Sequence, residues 1–183
     1  MKLRHLFFAC SGVFVMMFSL LLLVVIVFSD EEDGGSGGNL IYGGVSVSQE
    51  VLAHKPMLEK YAREYGIEEY LNVLLAIIQV ESGGTLEDVM QSSESLGLPP
   101  NSLSTEESIK QGCKYFSELL AAAEAKGCDL NSVVQSYNYG GGFLDYVAGR
   151  GKKYTFELAE SFAREKSSGK KVTYTNPVAV EKN

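Results

Sequence analysis

The chain has 183 residues, of which 45% are hydrophobic and 21% are charged, and its formal net charge at pH 7 is −7. This length is the usual size of one domain with one core, and the acidic balance without a basic run argues against nucleic-acid binding. Residues 150–183 are basic, with eight lysines and arginines against four acidic residues. They are typical of a solvated helix face and tail, with contact to an anionic polymer as the alternative.

Residues 1–29 are predicted to form a short cytoplasmic end and a membrane span. Residues 6–28 carry no charge, and as a helix they would extend about 35 Å, enough to cross a bilayer core. Lys2 and Arg4 precede this run and four acidic residues follow it. The positive-inside rule therefore predicts a single-pass protein of the cell membrane whose remaining residues are extracellular. A cleaved signal peptide is the alternative, although its apolar region would be unusually long.

The segment after the span is acidic and rich in glycine. Residues 30–44 cannot bury enough apolar surface to order themselves, so a flexible tether is predicted there. Residues 45–168 are predicted to form the folded domain, and residues 169–183 a C-terminal tail.

The first half of the domain is predicted to be helical. Ser48 can cap a short helix, and Pro56 suits the first turn of the next one, which should end at Gly66. Residues 68–81 follow, with apolar side chains on every side of the helix. Such a pattern indicates the buried centre of a domain.

The second half begins with a turn-rich stretch, residues 85–103. Residues 104–107 (STEE) then match a capping box that opens a long helix to about Lys126. Tyr115 and Phe116 on this helix are predicted core residues. Three shorter helices are predicted at residues 130–137, 143–148 and 155–166. Because no segment alternates like a strand, the predicted fold class is all-α, or nearly so.

Glu81 ends the apolar helix, and this position predicts an unusual carboxyl group. Burial and the negative end of the helix dipole both disfavour its charged form, so its pKa should rise. A carboxyl that stays protonated near neutral pH can act as a general acid. The alternative is an ordinary carboxylate that caps or forms an ion pair within the domain.

Three motifs carry a family resemblance. They are residues 79–84 (QVESGG), 89–92 (VMQS) and 135–140 (QSYNYG). Together they resemble the lysozyme-like cell-wall hydrolases, a superfamily that includes goose-type lysozyme and soluble lytic transglycosylases. The similarity covers roughly residues 48–165 and is strongest to the lysozyme-like domain of membrane-anchored Gram-positive wall hydrolases, including those of conjugative elements.

The resemblance implies a lysozyme-like helical domain that cleaves peptidoglycan after N-acetylmuramic acid. It implies Glu81 as the catalytic acid, Ser82 as a residue that steadies substrate or acid, and Gln91 as a polar contact to the sugar. Tyr137 and Asn138 match an element that packs against the acid and faces the groove. A non-catalytic wall-binding module, or a partner of a secretion or conjugation apparatus, is the alternative.

The reaction type depends on a second carboxylate near Glu81. The candidates in sequence are Glu87, Asp88 and Glu94, of which Asp88 and Glu94 are preferred for holding an attacking water. A base at a suitable distance would give a muramidase, and its absence would give a lytic transglycosylase with 1,6-anhydro products. The lack of a Gly-Leu pair before Met90 favours the muramidase.

No cofactor and no metal site is predicted. The two histidines, His5 and His54, lie far apart in sequence without cysteine partners. Cys113 and Cys128 flank a predicted helix and are expected to be free thiols.

Overall fold

The computed structural model describes residues 40–42 and 45–167, which form seven α-helices, two short 3-10 helices and one β-hairpin. The helices are α1 (Gln49–Ala53), α2 (Lys55–Glu64), α3 (Leu71–Glu81), α4 (Thr105–Lys126), α5 (Leu130–Tyr139), α6 (Gly142–Ala148) and α7 (Phe156–Lys166). The 3-10 helices lie at Glu68–Tyr70 and Ser92–Leu96. The predicted membrane span, most of the predicted tether and all of the predicted tail lie outside the described residues. Within those residues, no helix has the length and apolar character needed to cross a membrane.

The hairpin departs from the sequence expectation. Strand β1 (Leu40–Tyr42) pairs antiparallel with β2 (Val45–Val47), so that Leu40 lies opposite Val47. β1 lies inside the segment predicted as a tether, and β2 occupies the start of the segment predicted as helical. Val47 is fully buried against the core, which gives this short strand a packing partner. The described domain is therefore nearly all-α.

Helix α3 is the buried centre of the domain, as its apolar pattern predicts. Its residues from Val73 to Ile78 are all buried, and it packs against α1, α2 and β2. α1 is held at the end of α3 by two hydrogen bonds from Ser48, whose backbone N–H donates to Gln79 Oε1 at 2.7 Å and whose hydroxyl donates to the Gly83 carbonyl at 3.4 Å. These contacts fix the turn that follows Glu81.

Helix α4 is the long helix across the domain, and it packs against α2, α5, α6 and the 3-10 helix at Ser92–Leu96. It begins at the predicted capping box, where the Ser104 backbone N–H donates to Glu107 Oε2 at 3.0 Å. Its close approach to α5 depends on Gly112. A Cβ atom there would lie 2.5 Å from the Met90 sulfur and 2.8 Å from the Tyr137 hydroxyl oxygen.

The C-terminal part of the described chain has its own aromatic cluster. Phe143, Val147, Ala159 and Phe162 are buried together between α6 and α7. Tyr139, at the end of α5, stacks on Phe162 with ring centroids 5.6 Å apart. The packing of this cluster therefore positions the C-terminal end of α5, where the third sequence motif lies.

Candidate active site

Glu81 is the last residue of α3 and opens into a pocket. The pocket has a volume of about 190 Å³ and is formed by the end of α3, the 3-10 helix, α4 and the end of α5. It is lined by Glu81, Gln91, Ser92, Glu94, Ser95, Tyr115, Tyr137, Asn138, Tyr139 and Gly140. The structure thus brings together, in one pocket, all of the predicted site residues except Ser82, Asp88 and the further candidate Glu87.

The environment of Glu81 favours its protonated form. Burial at the end of an apolar helix, followed by the nearby charges of Glu94 and Asp88, raises the pKa of Glu81 to about 8. Among the described residues, no lysine or arginine forms an ion pair with Glu81. The predicted direction of the shift is therefore confirmed, and the two neighbouring carboxylates add a cause to it. The alternative of a structural ion pair finds no support here.

Glu94 is the second carboxylate of the pocket wall. It lies in the 3-10 helix and is partly exposed, and both its own burial and the charge of Asp88 raise its pKa. The pKa of Glu81 is raised more than that of Glu94, so the two pocket carboxyls differ in acidity. Such separation is what paired acid and base roles require.

Asp88 does not line the pocket. Its side chain is fully buried, and its Oδ1 accepts hydrogen bonds from the Ser92 backbone N–H at 2.9 Å and from the Ser108 hydroxyl at 2.6 Å. Its Oδ2 accepts from the Ser93 backbone N–H at 3.3 Å. The Asp88 carboxylate therefore fixes the start of the 3-10 helix to α4. Glu87, the remaining candidate, is exposed and also lies outside the pocket lining.

Gln91 lines the pocket in a constrained backbone conformation. Its φ of 47° lies in the left-handed region, which is uncommon for residues other than glycine and often marks a functional site. Its Nε2 donates to the Asp88 carbonyl and to Asn101 Oδ1, both at 2.7 Å. Both amide hydrogens are thus used, and the amide oxygen is the group left to receive a hydrogen bond from a ligand.

Ser82 follows Glu81 and makes contacts within the protein. Its hydroxyl donates to the Val89 carbonyl at 2.7 Å and accepts from the Gly84 backbone N–H at 3.0 Å. It does not line the pocket. Of the two roles that the resemblance implies, this position fits support of the acid, because these bonds hold the loop beside Glu81.

Tyr137 and Asn138 bring the end of α5 to the pocket. The Tyr137 hydroxyl donates to the Met90 carbonyl at 3.1 Å, so α5 is bonded to the residue that precedes Gln91. Burial, followed by the charge of Glu81, raises the pKa of Tyr137 well above its usual value. Asn138 lines the pocket one residue later.

Five lining residues were not predicted from the sequence: Ser92, Ser95, Tyr115, Tyr139 and Gly140. Tyr115 was predicted as core, but it is partly exposed and its ring lies 5.5 Å from that of Tyr137. Spacing along a helix identifies the inward face without showing that part of this face borders a pocket. In the described residues, no group of histidine, cysteine or acidic residues could hold a metal ion. Cys113 and Cys128 are free thiols, as predicted.

Comparison with known proteins agrees with this geometry. A family model described as Lysozyme-like matches residues 48–183. The bifunctional muramidase/DL-endopeptidase CwlT of Bacillus subtilis (strain 168) is 44% identical over 124 residues, which are 67% of this chain and 37% of that protein. The uncharacterized membrane protein YocA of the same strain is 36% identical over 130 residues, 70% of this chain and 58% of that protein.

A solved structure is also similar. It comes from Staphylococcus aureus subsp. aureus Mu50 and is reported as similar to a lipoprotein of the NLP/P60 family. It shares 71% sequence identity with a TM-score of 0.72, covering 76% of this chain and 47% of that one. This chain spans less than two thirds of the length of CwlT, YocA and this crystallised protein.

Proposed function

Because the chain belongs to the lysozyme-like family, we propose that it cleaves the glycan strands of peptidoglycan, with Glu81 as the general acid. The bond cut is the β-1,4 linkage after N-acetylmuramic acid. The observation that carries the proposal is a carboxyl with a pKa of about 8 that opens into the pocket. At neutral pH this group holds the proton that the leaving glycosidic oxygen needs.

We favour a muramidase, with Glu94 holding the attacking water. Glu94 lines the same pocket as Glu81 and is the more acidic of the two, so it can be ionised while Glu81 is protonated. Asp88, preferred equally on sequence grounds, has both oxygens committed to hydrogen bonds inside the protein. The Bacillus subtilis relative CwlT is named as a bifunctional muramidase/DL-endopeptidase, which supports hydrolysis.

The remaining lining residues suit a sugar chain. Tyr115 and Tyr137 present aromatic rings 5.5 Å apart, and Gln91 and Asn138 add polar groups. Aromatic faces with a few fixed polar groups are the usual composition of a small-ligand site. A volume of about 190 Å³ holds only part of such a ligand, so the glycan strand would pass across the pocket with the reacting bond inside it.

We also propose that this domain acts outside the cell, attached to the membrane by residues 6–28. The proposal rests on the uncharged run with Lys2 and Arg4 before it and four acidic residues after it. The relative YocA is named as a membrane protein, which supports this proposal.

The deciding experiment is digestion of purified peptidoglycan by the full chain in detergent, with mass analysis of the products. Glu81→Gln keeps the shape of the side chain but removes the proton donor, so cleavage should fall by about 10²- to 10⁴-fold. Glu87→Gln is the matched control, because Glu87 lies on the same loop, exposed and outside the pocket. Activity of Glu81→Gln within a few-fold of wild type would remove Glu81 from the mechanism.

The products test the second carboxylate. Hydrolysis leaves a reducing muramic acid end, whereas transglycosylation leaves a 1,6-anhydro end that is lighter by one water. If Glu94 holds the water, wild type gives reducing ends and Glu94→Gln cuts at least tenfold more slowly. Anhydro ends from wild type, together with normal cutting by Glu94→Gln, would contradict the muramidase and leave the role of Glu81 intact.

A further inference from the structure

The side-chain amide of Gln91 is held in one orientation in the pocket wall. Gln91 is 8% exposed, and its Nε2 donates to the Asp88 carbonyl at 2.7 Å. A backbone carbonyl oxygen can only accept hydrogen bonds, so the NH₂ end of the amide must be the end that faces it. This bond therefore decides which end of the amide turns toward Asp88, and Oε1 is the end that remains for a ligand.

A second acceptor fixes the plane of the same amide. Asn101 Oδ1 lies 2.7 Å from Gln91 Nε2 and accepts its other hydrogen. One hydrogen bond fixes the position of the amide nitrogen but lets the planar group turn about it, whereas two acceptors define the plane. The direction of Oε1 follows from that plane. Asn101 itself does not line the pocket, so it can act on a ligand in the pocket only through Gln91.

The loop that carries Asn101 is anchored on both sides of this residue. Before it, the Leu98 backbone N–H donates to the Ser93 carbonyl at 3.1 Å, and after it Leu103 is buried. Asn101 has a φ of 58°, in the left-handed region that asparagine adopts more readily than most residues. The Oδ1 acceptor is therefore presented from a backbone that is held at both ends.

We propose that Asn101 is a positioning residue of the active site, which sets the plane of the Gln91 amide so that Oε1 accepts a hydrogen bond from the bound sugar. The inference rests on the proposed function and adds to it a residue that acts through Gln91. The group recognised is an N–H or O–H of the sugar, because an amide oxygen can only accept. The sugar binds more tightly because this acceptor is ordered before the sugar arrives.

The test measures kcat and KM on soluble, uncrosslinked glycan strands with the full chain in detergent. Asn101→Gly removes the acceptor and suits the left-handed backbone, so the loop keeps its conformation. KM should rise by about five- to tenfold while kcat stays within about twofold of wild type, because a contact to the bound sugar is weakened and the acid is untouched. Because Asn101 is exposed, water can replace it at the amide, and the melting temperature should stay close to that of wild type.

Two further variants separate positioning from a general loosening of the loop. Asn101→Asp keeps an oxygen acceptor and tolerates the left-handed backbone, so it should restore KM to within about twofold of wild type. Ser102→Ala is the matched control on the same loop. It removes the hydrogen bond from the Ser102 hydroxyl to the Pro99 carbonyl, at 2.6 Å, and should leave both kinetic constants unchanged.

The coupling between the two residues decides whether Asn101 acts through Gln91. In a Gln91→Ala background, Asn101→Gly should change KM by less than about twofold, since the amide that it positions is gone. Four results would each overturn the inference while cleavage by wild type still stands: an equal rise in KM in both backgrounds, no rise in either, an equal rise in Ser102→Ala, or no recovery in Asn101→Asp. Failure of wild type to cut these strands would overturn the proposed function and this inference with it.

Discussion

Replacing Asp88 by asparagine tests whether this buried carboxylate positions the pocket wall or activates water. The substitution keeps the size of the side chain. The amide oxygen of the asparagine can still accept from the Ser92 backbone N–H and the Ser108 hydroxyl, which both bond to Oδ1 of the aspartate. The new NH₂ group, however, would face the Ser93 backbone N–H, which now donates to Oδ2 at 3.3 Å. One buried donor is then left without an acceptor.

The cost can be worked out from these contacts. Two hydrogen bonds lose their charge assistance, at about 1 kcal/mol each, and one buried N–H loses its partner, at about 1 to 3 kcal/mol. Removing a buried negative charge near Glu81 and Glu94 offsets part of this cost, because the charge of Asp88 raises the pKa of both carboxyls. We expect Asp88→Asn to lower the free energy of unfolding by about 2 kcal/mol.

The assay is urea unfolding at pH 7 together with the pH profile of peptidoglycan cleavage. The control is Asp145→Asn, the same chemical change at a side chain that is 74% exposed and lies 3.1 Å from Lys126, where the cost should be at most about 1 kcal/mol. Cleavage by Asp88→Asn should fall by no more than about tenfold, with its alkaline limb moved to lower pH. Unchanged stability with a loss of 10²-fold or more would make Asp88 a catalytic base and refute the positioning role.

Four further outcomes are expected. Cleavage should decline as pH rises through about 8, where Glu81 loses its proton. Folding raises the pKa of Glu81 from 4.5 to about 8, so the contribution of Glu81 to the free energy of unfolding declines as the pH rises from 4.5 to 8. Glu81→Gln should therefore melt at a higher temperature than wild type at pH 8 and at a similar temperature at pH 4.5. Gly112→Ala should lower stability by about 1 to 3 kcal/mol in urea unfolding, because its Cβ overlaps Met90 and the Tyr137 hydroxyl. Protease added to wall-stripped cells should digest the domain, and its protection would reverse the proposed orientation.

Most of the helices follow directly from local patterns in the sequence. The capping box at Ser104 and the apolar run of α3 define their helices within a few residues, since capping and burial act over short stretches of chain. The raised pKa of Glu81 also follows from its position in the sequence. A carboxyl at the end of a buried, apolar helix is desolvated, and desolvation disfavours its charged form. These features depend little on long-range contacts.

The hairpin was missed although its signal is present. Two short runs, LIY and VSV, flank Gly43 and Gly44, an arrangement that is typical of a tight hairpin. Because the residues before the hairpin are acidic and rich in glycine, all of residues 30–44 were predicted to form a tether. Three-residue strands are stable only when something packs on them, and here Val47 is buried against the core. That contact cannot be derived from local pattern.

The assignment of the second carboxylate required the structure for a different reason. Asp88 and Glu94 both lie on the loop after Glu81, and their residue types and spacing are equally compatible with holding a water. What separates them is direction: Asp88 turns inward to Ser108 on α4, while Glu94 turns toward the pocket. The inward aspartate sets where the 3-10 helix begins, and the helix in turn carries Glu94 to the wall. One acidic residue thus positions the other. In the proposed muramidase, the place of the carboxylate that holds the water depends on the bond between Asp88 and Ser108, 20 residues later in the chain.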